Sequence, residues 1–332
     1  MSTETSFDAQ HLRRIGVMTC GGDAPGMNTC IRAVVRTALN YQIEVYGIRR
    51  AFAGLVAGDM ERLGPRDVGG ILQRGGTILQ TARLPEFREE RLQKLALRRL
   101  HEHEIDALIV IGGNGSLRGA FMLQQRGFPV IGIPATIDND VWGTNMAIGV
   151  DTAINTILEA IDRLRDTASS HQRALLVETM GRKCGYLALM AGITGGAEVI
   201  HIPEVSITLE EIARRVEEAY IRGKTHAILV ISEGAEHRTT DIARYLEEQE
   251  TGFEVRITIL GHVQRGGRPS HFDRLLATRM GVAAVEALRR GTCGVMTALR
   301  GREITLVPLE EVISHERKAN LEYYEIAQVL AR

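Results

Sequence analysis

The stretch "LIVIGGNGSLRGAF", Leu108–Phe121, reads as an apolar strand that passes through a turn with three glycines and leaves as a helix. A strand–loop–helix corner of this kind favours a negative group, because free backbone N–H groups and the helix dipole point at it. Short β-branched runs recur along the chain: "RIGVMTCGG", "IEVYGI", "DALIVIGG", "PVIGIPATIDND", "ALLVETMGRKCG", "AEVIHIPE", "HAILVISEGAE" and "RITILGHVQRGG". Most lead into a glycine-containing loop and a helix-like pattern. Strands that are apolar throughout, alternating with amphipathic helices, predict α/β architecture with mainly parallel sheets covered on both faces. Ligands bind such sheets beyond the carboxyl ends of the strands, which is where the unusual residues of this sequence fall.

A chain of 332 residues exceeds one comfortable core, so two domains, or one large α/β domain with an added lobe, are expected. With no Pro-rich linker or repeat in view, the chain is expected to cross between lobes more than once. A net charge of -1 gives no reason to expect nucleic acid or a membrane as partner. Four scattered cysteines, Cys20, Cys30, Cys184 and Cys293, form no C-x-x-C pair and read as reduced thiols. The N-terminal "MSTETSFDAQHLRR" has no apolar core, so the protein is expected to be cytoplasmic. "REERLQKLALRRLHEHE" predicts a surface helix burying Leu92, Leu95, Ala96 and Leu100, and the "HEHE" at His101–Glu104 reads as its solvated end rather than as metal ligands. "LEEIARRVEEAYIRG" predicts another helix, capped by Gly223.

Four motifs carry chemistry. "TCGGDAPGMN", Thr19–Asn28, reads either as a backbone cradle for phosphate or as a tight turn, with Pro25 near the start of the next helix, as a proline favoured there would be. Gly113, Gly115 and Gly119 fit a relaxed dinucleotide fingerprint, yet the acidic ribose ligand expected about 20 residues later is not cleanly present, and no Walker lysine follows. In "PATIDND", Asp138 and Asp140 stand just past a strand. Such aspartates serve as turn or cap residues, or, after a phosphate-type loop, as a base beside a phosphoryl donor. Finally Arg173, Arg182, Arg256, His262 and Arg265 lie at or near strand ends in a chain almost without net charge, a pattern suited to an anionic substrate.

Taken in order, "GVMTCGGDAPGMN", "RGGTILQTAR", "IGGNGS", "TIDND", "IDRLRDTASSHQR", "MGRKCG" and "LGHVQRGG" resemble the bacterial 6-phosphofructokinase family, over nearly the whole chain from about Arg14. The resemblance implies two Rossmann-like three-layer α/β/α lobes with the active site in the cleft. Residues 1–149 plus about 264–312 would form the larger, ATP-binding lobe, and about 150–263 plus 313–332 the sugar-phosphate lobe. It implies glycolytic transfer of the ATP γ-phosphoryl to the 1-hydroxyl of fructose 6-phosphate, with Mg²⁺ as cofactor. By resemblance Asp138 is the base, flanked by Thr136 and Asp140, and Arg83 and Arg182 complete the catalytic set. Gly22, Arg83, Leu84, Gly113, Asn114, Gly115 and Ser116 would bind ATP. Met180, Gly181, Arg182 and Glu233 would hold the sugar, and His262 and Arg265 its phosphate. Residues matching Arg173 and Arg256 come from a neighbouring subunit in the family, which implies a homo-oligomer, usually a tetramer.

Two positions bear on the donor. Pyrophosphate-using relatives carry an aspartate where this chain has Gly115 and a lysine where it has Ala135, so ATP is favoured. Asn114 departs from the family, which has there an aspartate that helps hold Mg²⁺; an amide lacks that charge and implies an altered metal shell. Residues matching Arg32, Arg36, Arg165, Glu198, Arg222 and Lys224 bind ADP or phosphoenolpyruvate in relatives, although Pro65 and Thr225 replace basic residues of that set. The open alternatives are pyrophosphate dependence, another sugar phosphate, a weakly catalytic regulatory paralogue and, more distantly, a nicotinamide dehydrogenase.

Overall fold

A computed structural model of the chain describes residues 5–331. The chain forms two compact units. One takes the chain up to Thr136, then Val141–Asp151 and Arg265–Glu316; the other takes Ile137–Asp140, Thr152–Gln264 and the chain from Arg317 onward.

The first unit is organised on a seven-stranded sheet. Its strands lie in the order Glu303–Pro308, Val295–Arg300, Val130–Pro134, Ala107–Gly112, Arg14–Cys20, Glu44–Ile48 and Met60–Leu63. The inner five run parallel, and only the two edge strands are antiparallel to their neighbours. Complete burial explains the unbroken apolar runs: every side chain from Leu108 to Ile111 has no exposed surface. Successive strand side chains point to opposite faces. Leu108, Val110, Met18 and Val130 therefore share one cluster with Phe52, Leu55, Leu100 and Leu117, from the helices Ala51–Ala57, Glu90–Glu102 and Asn114–Gln124. On helices Met27–Asn40 and His271–Arg289, which pack against each other, Gly281 lies close to Ala33 and the Cys30 carbonyl.

The buried seam of helix Glu90–Glu102 differs from the expectation. Gln93, Ala96 and Leu100 are buried, with Leu92 and Leu97 packed beside them, while Leu95 is only partly covered. Gln93 goes inside because its amide is satisfied there: Nε2 donates to the Phe87 carbonyl at 3.0 Å and to the Arg88 carbonyl at 3.1 Å, and Oε1 accepts from Arg126 Nε at 2.7 Å.

The second unit carries four parallel strands in the order Glu254–Ile259, Arg173–Thr179, Ala227–Ser232 and Val199–His201. Leu176, Leu229, Ile231 and Val255 pack on Ile212 and Val216 of helix Leu209–Ile221 and on Ile242 and Leu246 of helix Thr239–Glu248. The former helix starts at Thr208, whose hydroxyl accepts from Glu211 N at 3.2 Å, and ends before Gly223 at φ 79°. Among the described residues no helix is long and apolar enough to cross a membrane.

Because Leu108 is fully buried at the centre of the larger sheet, Leu108→Ala should lower stability by about 2–5 kcal/mol. Urea denaturation of the two proteins checks this.

Candidate active site

In the larger sheet the connections reverse direction beside one strand. From Arg14–Cys20 the chain builds outward through Glu44–Ile48 and Met60–Leu63, then returns to Ala107–Gly112 and continues to the other edge. Such a switch point leaves a crevice at the carboxyl ends of the two diverging strands. Here those ends are the paired residues Cys20 and Gly112, followed by "GGDAPG" and "GNGS". Gly112 is required by close approach, since a Cβ there would stand 2.5 Å from Ser116 Oγ and 2.6 Å from the Cys20 carbonyl. The helix then begins at once: Gly113 is the N-cap and Asn114 and Gly115 the first helical positions, while Ser116 N donates back to the Gly113 carbonyl at 2.9 Å. Gly115 is exposed, and a Cβ there would meet nothing within 4 Å.

The first corner is a tight turn that leads into a helix. Pro25 lies outside the helix, which starts at Met27 after the N-cap Gly26. Pro25 and Gly26 occupy the centre of a type II turn, closed by Met27 N donating to the Ala24 carbonyl at 3.2 Å. Asn28, buried, ties the next motif down: its Nδ2 donates to the carbonyls of Arg74 and Gly75, each at 3.1 Å, and its Oδ1 accepts from Ile78 N at 2.8 Å. Thr81 Oγ1 donates to the Gly21 carbonyl at 2.7 Å, which sets the exposed Arg83 and its neighbour Leu84 two and three residues from the glycine corner's anchor. Arg265 arrives at the same place. Its guanidinium occupies the space that a Cβ on Gly22 would fill, with Nη1 1.6 Å from that position. Its buried Nε has no hydrogen-bond partner. Thr136 packs beside Gly113, whose ideal Cβ would lie 3.4 Å from the Thr136 Cβ. The larger unit thus gathers Gly22, Gly113, Thr136 and Arg265 with the "TAR" segment.

The second unit gathers another set, from the carboxyl ends of two of its own strands and from the segment Ile137–Asp140, which in sequence follows strand Val130–Pro134 of the larger sheet. Asp138 is buried, and its Oδ2 lies 3.4 Å from Arg182 Nε. Arg182 holds a left-handed φ of 52°. Glu233 fixes this turn by accepting from Arg182 N at 3.0 Å and Gly181 N at 3.3 Å. Met180 N donates to Gln264 Oε1 at 3.2 Å, and Gln264 Nε2 to the Gly261 carbonyl at 2.9 Å. This links the Met180–Arg182 loop to the short helix Gly261–Arg265 that carries the exposed His262. Asp140 acts electrostatically on Arg317, a cation that none of the sequence motifs marks.

Arg173 and Arg256 are near each other but away from these strand ends. Arg173 opens its strand and Arg256 is the third residue of the neighbouring one, so both lie toward the amino edge rather than at the carboxyl ends. Glu254 stands between them, 2.7 Å from Arg173 Nε and in contact with Arg256 Nη2. Of the effector candidates, Glu198 is buried with Lys224 Nζ at 3.1 Å, Arg165 donates to the Gly195 carbonyl, and Arg222 pairs loosely with Glu218 at 4.0 Å. His226, not singled out in the sequence, joins them through Ser169 Oγ at 3.0 Å. Burial holds its imidazole below the usual range, with Arg165 and Lys224 adding to that and Glu198 opposing it. Arg32 and Arg36 sit on helix Met27–Asn40. In "HEHE", Glu102 pairs with Arg98 and Arg99, and His103 Nδ1 meets the Arg99 carbonyl at 2.9 Å. Among the described residues no group of three or more His, Cys, Asp and Glu side chains is arranged to hold a metal ion.

A doubly wound α/β sheet with glycine corners at its switch point is an arrangement shared by many phosphate- and nucleotide-handling proteins. Residues 14–288 match the sequence profile of the family described as Phosphofructokinase, and the chain belongs to that family. It is 51% identical over 321 residues to the ATP-dependent 6-phosphofructokinase of Thermotoga neapolitana, covering 96% of this chain and all of that one. It is 49% identical to ATP-dependent 6-phosphofructokinase 1 of Thermus thermophilus, with the same coverage. Among solved structures, phosphofructokinase from Saccharomyces cerevisiae aligns with a TM-score of 0.87 at 34% identity, over 96% of this chain and 46% of that one. The present chain therefore spans about half the length of that relative. The pyrophosphate-dependent enzyme of Marinobacter aquaeolei, 23% identical, shares the fold with a TM-score of 0.83, over 94% of this chain and 86% of that one.

The two glycines of the second corner should respond oppositely to a methyl group. Gly112→Ala pushes into a backbone carbonyl and should cost about 1–3 kcal/mol. Gly115→Ala enters open space at a helical position and should stabilise by roughly 0.5–1 kcal/mol. Parallel urea melts distinguish them.

Proposed function

We infer that the chain is an ATP-dependent phosphotransferase that converts fructose 6-phosphate to fructose 1,6-bisphosphate. The observation that carries the choice of donor is the pairing of an open Gly115 with a buried Ala135, only 1% exposed. Room above Gly115 suits the α-phosphate of a nucleotide, whereas an aspartate there would repel it. A lysine at Ala135 would have to bury its ammonium.

In this reading the larger unit is the nucleotide lobe and the other unit the sugar-phosphate lobe. Backbone N–H groups at Gly22, Gly113 and Gly115, with Ser116, Arg83 and Leu84, receive the nucleotide. Asp138 takes the proton of the sugar 1-hydroxyl, Thr136 and Asp140 flank it, and Arg182 orients the carboxylate through their ion pair. Met180, Gly181 and Glu233 hold the sugar. His262 and Arg265 reach for its phosphate, and the Arg265 guanidinium already rests on Gly22. Catalysis then consists mainly of positioning and charge neutralisation, as phosphoryl transfer requires.

Mg²⁺ fits this site as an ion carried by nucleotide phosphates and water rather than caged by protein: Asn114 at the helix start offers an amide, and no three-ligand side-chain group is present among the described residues. Such an ion neutralises phosphate charge when bound. Asn114 would order one of its waters. The cytoplasm is the proposed location. A homotetramer is the proposed assembly, with Arg173 and Arg256 serving the phosphate site of a neighbouring subunit. ADP or phosphoenolpyruvate is the proposed effector at Arg165, Glu198, Arg222 and Lys224 with Arg32 and Arg36.

A coupled assay for fructose 1,6-bisphosphate should show turnover with ATP and none with pyrophosphate. Asp138→Asn should lose about 10²–10⁴-fold in kcat, Gly115→Asp should lose ATP use, and Asn114→Asp should lower the Mg²⁺ concentration needed for half-maximal rate. Pyrophosphate turnover in the wild type would reverse the donor assignment, and activity found only in Asn114→Asp would make the natural chain a regulatory paralogue. At subsaturating fructose 6-phosphate, ADP or phosphoenolpyruvate should change the rate severalfold; a flat response to both would remove the effector reading.

A further inference from the structure

Outside the residues assigned above, one cation lies against the loop that carries Asp138. Arg317 Nη1 donates to Asn139 Oδ1 at 3.2 Å. Its guanidinium carbon stands 5.5 Å from the centre of the Tyr186 ring, and Asp140 and Cys184 both act on it electrostatically. Asn139 has no exposed surface and a left-handed φ of 50°, so it is the residue at which the chain turns between the two carboxylates. A turn held in this conformation persists only where its surroundings over-determine it, and Arg317 supplies one such restraint from the far end of the chain.

The segment is fastened a second time, two residues on. Ala319 N donates to Glu204 Oε1 at 2.9 Å, and the same carboxylate accepts from Gly185 N at 3.0 and 3.1 Å. Gly185 caps helix Tyr186–Thr194, which directly follows the Met180–Arg182 turn. Arg317–Ala319 therefore ties the Asp138 loop to the start of the helix behind the Arg182 loop. These are the two loops whose alignment sets the 3.4 Å contact between Asp138 and Arg182. Burial opposes the charge on Arg317, and Asp140 offsets part of that cost.

We propose that Arg317 is a positioning residue for phosphoryl transfer, holding the Asn139 turn so that Asp138 stays aligned with Arg182. This rests on the reading of Asp138 as the base. The test is steady-state kinetics of the full-length protein for Arg317→Met, Arg317→Lys and Asp138→Asn, with KM for both substrates, ATP binding by calorimetry, and Tm. Arg317→Met should lose about 10- to 100-fold in kcat, the scale of a misplaced catalytic group, with KM for ATP and ATP affinity within about twofold and a folded protein by Tm. Arg317→Lys, which keeps the charge and one donor, should recover part of the lost kcat. A kcat for Arg317→Met within about twofold of wild type overturns the proposal. So does a loss that Arg317→Lys shares in full and that follows the fall in Tm. If Arg317→Met fails to fold, Arg317→Lys decides: a lowered kcat at wild-type Tm and ATP affinity keeps the positioning role, and a kcat that falls only in step with Tm overturns it. Asp138→Asn separates the two readings. Full activity in that variant overturns the base itself, whereas an inactive Asp138→Asn beside an unimpaired Arg317→Met overturns only the positioning role.

Discussion

The constraint on which the larger unit depends is the close ending of two parallel strands. Cys20 and Gly112 are register partners, and the carbonyl of one occupies the space that a side chain on the other would need. Parallel pairing brings both carboxyl ends to the same edge of the sheet, and the reversal of strand order sends the two connecting loops apart. One strand leaves through Gly21 and Gly22, the other through Gly113 into a helix that starts within a single residue. The Asn28 tether, the Thr81 anchor and the Arg265 guanidinium are all placed around this edge.

The smaller unit solves a related problem with side chains in place of a switch-point glycine corner. Glu233 spends one carboxylate oxygen on two backbone donors, which holds the Arg182 turn. Gln264 bridges the neighbouring loop by accepting from Met180 N and donating to the Gly261 carbonyl. At the opposite edge of this sheet Glu254 lies between Arg173 and Arg256, so in the isolated chain two arginines that resemblance assigns to phosphate already have an internal anionic partner.

Runs such as Leu108–Ile111 made the parallel sheets legible, because burial on both faces leaves no room for polar alternation. The corners were legible for the same local reason, since a strand, a glycine turn and a helix start are consecutive in sequence. Antiparallel edges such as Met60–Leu63 were not, being short and half exposed. Neither were Gln93, Gln264 and Arg317. Each is a polar residue that looks like ordinary surface in sequence and whose place is set by partners elsewhere in the fold. Pro25 left its exact place open for a different reason: proline suits both a first helical turn and the second position of a type II turn, and the glycine after it favours the turn. Gln264, at least, had a signal, since it sits between His262 and Arg265 in a stretch rich in candidate phosphate ligands.

The order in which the larger sheet receives its strands has a consequence on the ribosome. Val130–Pro134 pairs on one side with Ala107–Gly112, made shortly before it, but its other neighbour is Val295–Arg300, about 160 residues later. At roughly 5–20 residues per second that interval is on the order of 10–30 s. Throughout it Val130–Pro134 lacks its second neighbour, and an unpaired strand edge is a template for pairing with another chain. The smaller unit's four strands are all synthesised within that same interval. Emergence of the smaller unit is thus a waiting period for the larger one, and holding that edge apart from neighbouring nascent chains is a task for the cell before the enzyme exists.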